Sequence, residues 1–114
     1  MTIQAFIEKL KKTPETITFT ETIATVESNY EFTPTAFQNG NQYNGAGENS
    51  GSCKVFAFAK IQQLTQAETL ACFGAYYFEE VLGDLEGTNH QNIRNFMKSG
   101  WNGIQFEGDA LSLK

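Results

Sequence analysis

The chain has 114 residues, 40% of them apolar and 13% aromatic, with a formal net charge of −5. That length gives one domain over residues 1–114, with a core large enough to need no metal or disulfide staple, and the aromatic content excludes a disordered chain. The acidic balance, with its only basic cluster at Lys9, Lys11 and Lys12, argues against nucleic acid or an anionic membrane as partner.

Ile3, Phe6, Ile7 and Leu10 recur at helical spacing and mark the apolar stripe of a first helix. Its three lysines fall where cations complement the helix dipole. The segment Met1–Lys12 therefore reads as an amphipathic helix rather than a signal peptide, which predicts a cytoplasmic protein. Thr13-Pro14 ends it, because Pro14 cannot continue the hydrogen-bond ladder. Ile17 and Phe19 alternate with threonines and suggest a short extended piece. Thr20 then caps a second helix carrying Ile23, Val26 and Tyr30.

Phe32–Gln38, Asn39-Gly40 and Asn41–Tyr43 read as a β-hairpin, since Asn-Gly favours a turn with two positive φ angles. Pro34 limits the first arm to a sheet edge. From Asn39 to Ser52 the chain holds four Asn, four Gly, two Ser and one charge, Glu48. Cys53–Leu64 is nearly continuously apolar and reads as a central buried helix. Thr65 and Glu68 form a capping box for the next helix, with Leu70, Phe73, Tyr77 and Val81 inward and Gly74 allowing a close approach. Thr88 or Asn89 caps a last helix that turns Ile93, Phe96 and Met97 inward and ends at Gly100. Ile104-Gln105-Phe106 is a strand candidate, and the tail beyond Gly108 reads as loose apart from Leu111. The expected fold is α+β and mostly helical, with about five helices around one core, a small hairpin and one short C-terminal strand.

Cys53 stands at a helix start in Ser50-Gly51-Ser52-Cys53, where the dipole favours a thiolate. A nucleophile pair with the sole histidine, His90, is one reading, and a buried small hydrophobe is the other. No C-x-x-C spacing joins Cys53 to Cys72, so no metal or redox motif is encoded, and no cofactor is implied. The helix entry also offers unpaired N–H groups to an anion. Asn44, Asn49, Ser50, Gly51 and Ser52 are the candidate ligand-binding residues there, with the lone Arg94 and Trp101 as further candidates. Turn and cap chemistry is the competing explanation of the same residues. Glu79 and Glu80 point in different directions from a helix and read as a solvated face. Tyr76, Tyr77, Phe78 and Trp101 fill the core or mark a partner surface. A binding domain for a protein partner or a small anion is the leading reading, and a small enzyme is the alternative.

The stretches PETITF (14–19), NYEFTPTAFQNG (29–40), AGENSGSCKVFAFA (46–59), LACFGAYYFEEVL (70–82), HQNIRNFMKSGW (90–101) and GIQF (103–106) together resemble the HopJ type III effector family. They cover nearly the whole chain in order. The resemblance implies a bacterial protein related to effectors injected into plant cells. It brings no catalytic residues with it. The family pattern commonly has a basic residue after the tyrosine pair, where this chain has Phe78.

Overall fold

The structure, a computed structural model, describes residues 1–114. Helix α1 (Ile3–Lys12) begins where Thr2 accepts the Ala5 N–H at 3.0 Å, and it buries Phe6 and Leu10. Two of its lysines do more than face the dipole. Lys9 reaches Glu21 at 2.8 Å and Lys11 reaches Glu68 at 2.9 Å, tying the helix to its neighbours. After it, Pro14–Thr16 forms a 3₁₀ turn, with the Thr16 hydroxyl donating to the Thr13 carbonyl, and of the expected extended piece only Ile17 and Thr18 have extended backbone before the next helix begins at Phe19. Proline presets the φ of such a turn.

Helix α2 (Phe19–Asn29) starts earlier than expected. Thr18, not Thr20, is its cap and accepts the Glu21 N–H at 3.1 Å. Its buried face includes two threonines whose hydroxyls are satisfied by carbonyls, Thr22 on Cys72 at 2.8 Å and Thr25 on Glu21 at 2.8 Å.

The β structure is larger than one hairpin and one strand. Strand β1 (Tyr30–Phe32) pairs antiparallel with β5 (Leu111–Leu113), with Glu31 opposite Ser112. The tail is thus held in a sheet, with Leu111 in the core. Strands β2 (Phe37–Asn39) and β3 (Gln42–Asn44) make the hairpin, and β4 (Ile104–Phe106) pairs with the other edge of β2. Pro34 lies in the link between the two sheets rather than in a strand. The turn is Gly40-Asn41, one residue later than the Asn39-Gly40 reading, and only Gly40 takes a positive φ, +61°. That is the two-residue loop with glycine first. The register shifts because Asn39 is a strand residue, fully buried, with its amide bonded to Asn92.

Helix α3 (Ser50–Ile61) runs through the centre. Cys53 and Val55–Ala59 are all buried, and Lys54 alone escapes, over the Phe32 ring and beside Glu27. Phe56 meets Phe37, Phe73 and Phe96, while Phe58 meets Phe6 and Tyr30. These rings join α3 to α1, to α5, to the segment after α4 and to a strand of each sheet.

Helix α4 (Gln66–Ala71) has the expected capping box, in which the Thr65 N–H and then Lys11 hold the Glu68 carboxyl below its usual pKa. It does not continue to Val81. Gly74 takes φ +59°, and a Cβ there would lie 2.8 Å from the Phe19 backbone nitrogen. The close approach expected of Gly74 is real, and it breaks the helix. The chain resumes as a π-helical turn, Tyr76–Val81, of a kind that recurs at functional sites. Helix α5 (Gln91–Ser99) turns Ile93 and Phe96 inward and ends at Gly100. Its N-cap is His90, beyond both Thr88 and Asn89. The fold class is α+β, mostly helical, with five α-helices around one apolar cluster.

Candidate functional site

Two helix starts line one polar cleft of about 400 Å³. Asn49 and Ser52 come from the start of α3, His90, Gln91, Asn92 and Ile93 from the start of α5, and Gln42 from β3. Both N-cap residues are left-handed, Asn49 at φ 50°, ψ 48° and His90 at φ 52°, ψ 49°. Such a residue leading into a right-handed helix gathers successive N–H groups into one concavity. Neither helix start has a side-chain cap. The opening N–H groups thus present positive partial charge without a covering carboxylate or hydroxyl.

Asparagines behind the cleft fix its walls. Asn92 and Asn44 exchange amide hydrogen bonds at 3.0 and 3.2 Å. The Asn39 amide donates to both the carbonyl and the side-chain oxygen of Asn92, at 2.8 and 2.9 Å. Asn49 donates to Asn44 at 2.7 Å, which explains why it does not cap its own helix. Asn39, Asn44 and Asn92 are all buried, and these bonds take the place of water at every one of their side-chain polar atoms except Asn39 Oδ1. The network joins β2, β3, α3 and α5 at one point.

His90 supplies the titratable group of the cleft. Its Nε2 lies 2.8 Å from Glu80 of the π-helical turn, and its ring packs at a tilt against Tyr76, with centroids 5.0 Å apart. Its partner is thus a carboxylate, and Glu80 is more than a solvated residue. The pair fixes the ring and leaves Nδ1 as its remaining polar atom.

Of the sequence candidates, the cleft gathers Asn49, Ser52 and His90, with Asn44 buried behind them. Ser50 and Gly51 flank it. The Ser50 hydroxyl leans on the Gly47 carbonyl at 3.4 Å, and Gly51 is packed against Phe19. Arg94 is elsewhere: its guanidinium donates to the carbonyls of Asp84 and Asn89 and to the Asn89 side chain, strapping the loop before α5. It pairs with no carboxylate. Trp101 packs edge-on against Phe96 and donates to the Leu64 carbonyl at 2.9 Å.

Cys53 does not line the cleft. It is 1% exposed, with Sγ 3.6 Å from the Thr35 carbonyl oxygen, and burial pushes its thiol pKa up. The helix start does not overcome that desolvation. Cys72 is buried too, its thiol pushed up to about 12 by burial and then by Glu68. Thiol alkylation of the native protein at neutral pH should therefore run slower at Cys53 than in free cysteine, and accelerate only on unfolding. Rapid native labelling would restore the nucleophile reading.

Gln42, Gln91, Asn92 and Ile93 were not among the sequence candidates. The dense His90-Gln91-Asn92 run was the available signal, but nothing local shows that α5 begins opposite α3.

A mostly helical α+β domain with a cleft between two uncapped helix starts is the class of protein defined here. Residues 3–111 match the HopJ type III effector protein family, and the chain belongs to it. The chain is also similar to a solved crystal structure of "unknown function protein VPA0580", at 54% identity and a TM-score of 0.99. That similarity covers 100% of this chain and 95% of the other. No curated protein matches the chain. No helix is long and apolar enough to cross a membrane.

Proposed function

We propose that this domain is a binding module whose cleft takes a small anion, a phosphate or carboxylate group, between the starts of α3 and α5. The observation that carries the reading is the convergence of two left-handed, uncapped helix starts on one polar cavity. Each start offers backbone N–H donors and a positive dipole end, the combination that favours anions. The remaining lining is mostly neutral amide and hydroxyl, which can fix the rest of a polar ligand without repelling its charge. Family membership is consistent with a role in an effector that meets host components after type III secretion, and the anion is then the group by which such a component or a metabolite is held.

Thermal unfolding at constant ionic strength tests the reading with phosphate, sulfate and acetate against chloride. At least one should raise the melting temperature saturably, reaching about 2.7 kcal/mol of stabilisation at a hundredfold excess over Kd. Ser52→Glu should remove the response. Its carboxylate would occupy the cleft from the first turn of α3, where the dipole also favours it. Equal melting temperatures in all four anions would reject the site.

A further inference from the structure

Tyr76 borders a second cavity, also of about 400 Å³, between the α1–α2 link and the π-helical turn. Phe19, Tyr76 and Phe78 supply aromatic walls, the buried Ile17 lies among them, and Glu15 and Glu79 supply carboxylates. No lysine or arginine lines the cavity. The ion pairs of the chain join Lys9 to Glu21, Lys11 to Glu68, Lys54 to Glu27 and His90 to Glu80. Glu15 and Glu79 belong to none of them. Aromatic faces carry negative charge density, and they attract cations most strongly beside an unneutralised carboxylate. An anion would be repelled from the same walls. A bare metal ion would use the carboxylates and leave the rings idle.

From the pairing of unmatched carboxylates with three aromatic side chains, we infer that this cavity is a binding site for an organic cation, an alkylammonium or guanidinium group. The ammonium or guanidinium head sits against Glu15 and Glu79, and its alkyl stem lies along the rings and Ile17. The site is distinct from the anion cleft, although Tyr76 of this cavity lies tilted against His90 of the cleft, with ring centroids 5.0 Å apart. Its π-helical turn and the helix break at Gly74 give this edge of the fold a geometry that a continuous helix would not provide.

Amide NMR titration of the whole chain, at constant ionic strength, tests the site. The probes are butylammonium, agmatine, a short blocked peptide with one lysine, and calcium chloride. Saturable shifts confined to residues 15–20 and 75–79 are expected with the organic cations. The double variant Glu15→Gln/Glu79→Gln should bind them about tenfold more weakly, a difference of about 1.4 kcal/mol. Glu31→Gln, remote from the cavity, should bind like the parent chain. Tighter binding of the peptide would make a partner protein's lysine the source of the cation, and tighter binding of the free amines would make it a small molecule. Either result supports the site. Shifts that scatter over the acidic surface without saturating would overturn it. So would parental affinity in the double variant, or saturation by calcium alone.

Discussion

Replacing Phe56 by alanine should lower the free energy of unfolding by about 3–5 kcal/mol. Phe56 is fully buried in the middle of α3. Its ring lies 6.0 Å from that of Phe37, 5.5 Å from Phe73 and 5.0 Å from Phe96. Those three partners belong to β2, the segment after α4, and α5. One truncation therefore loosens the contact of the central helix with three elements at once. The cavity cannot close by a local shift, because the neighbouring rings are held by further contacts, Phe37 by Phe106 and Phe96 by Trp101. A domain of this size has about 5–15 kcal/mol of stability in all, so the variant should sit near the limit of folding. Urea denaturation measures the effect as a fall in midpoint with little change in slope. Phe56→Leu should recover most of the loss, since it keeps most of the apolar volume. A loss below about 1 kcal/mol in Phe56→Ala would mean that the ring contacts carry little of the core.

The elements readable from the sequence are those whose causes are local. The stripe of α1, the Thr65–Glu68 capping box and strand β4 each depend on residues a few positions apart. Strand β5 depends on Tyr30–Phe32, far back in the chain, so Leu111-Ser112-Leu113 gave no sign of its partner. Gly74 was legible as a close contact but not as a break, because the obstacle is the backbone at Ile17–Phe19. The turn at Gly40-Asn41 moved for the same kind of reason, since a distant amide holds Asn39 in the strand. The candidate cleft was half visible. The composition of Asn39–Ser52 marked the wall built by α3, whereas the facing wall of α5 follows from tertiary packing. Arg94 and Trp101 attracted attention by being solitary, and each is engaged in holding a neighbouring carbonyl.

Asn92 is where the fold and the proposed anion site meet, and Asn92→Leu should cost about 2–4 kcal/mol, from two donors or acceptors left short of partners in the core. Its Oδ1 accepts from Asn39 and Asn44, and its Nδ2 donates to Asn44. Without that amide, Asn39 keeps only the residue-92 carbonyl, and Asn44 Nδ2 keeps only the Phe37 carbonyl at 3.4 Å. The network has no slack to absorb the change, because Asn39 Oδ1 is already buried without a partner. The anion response should weaken together with stability, since Asn92 helps hold the start of α5 against β3. Asn92→Asp separates the hydrogen-bond argument from simple loss of volume. A protonated carboxyl can still accept from Asn39 and donate to Asn44, whereas a carboxylate can only accept and carries an uncompensated charge into the core. Its folded-state pKa should therefore lie above its unfolded value. The variant should be closest to the parent chain below the unfolded carboxyl range, and the gap should widen as pH rises through the folded value. Parallel urea titrations of the two chains across that range give the difference directly. A gap independent of pH would show that the position is indifferent to charge, and that the asparagine cluster is not the sealed network its bonds describe.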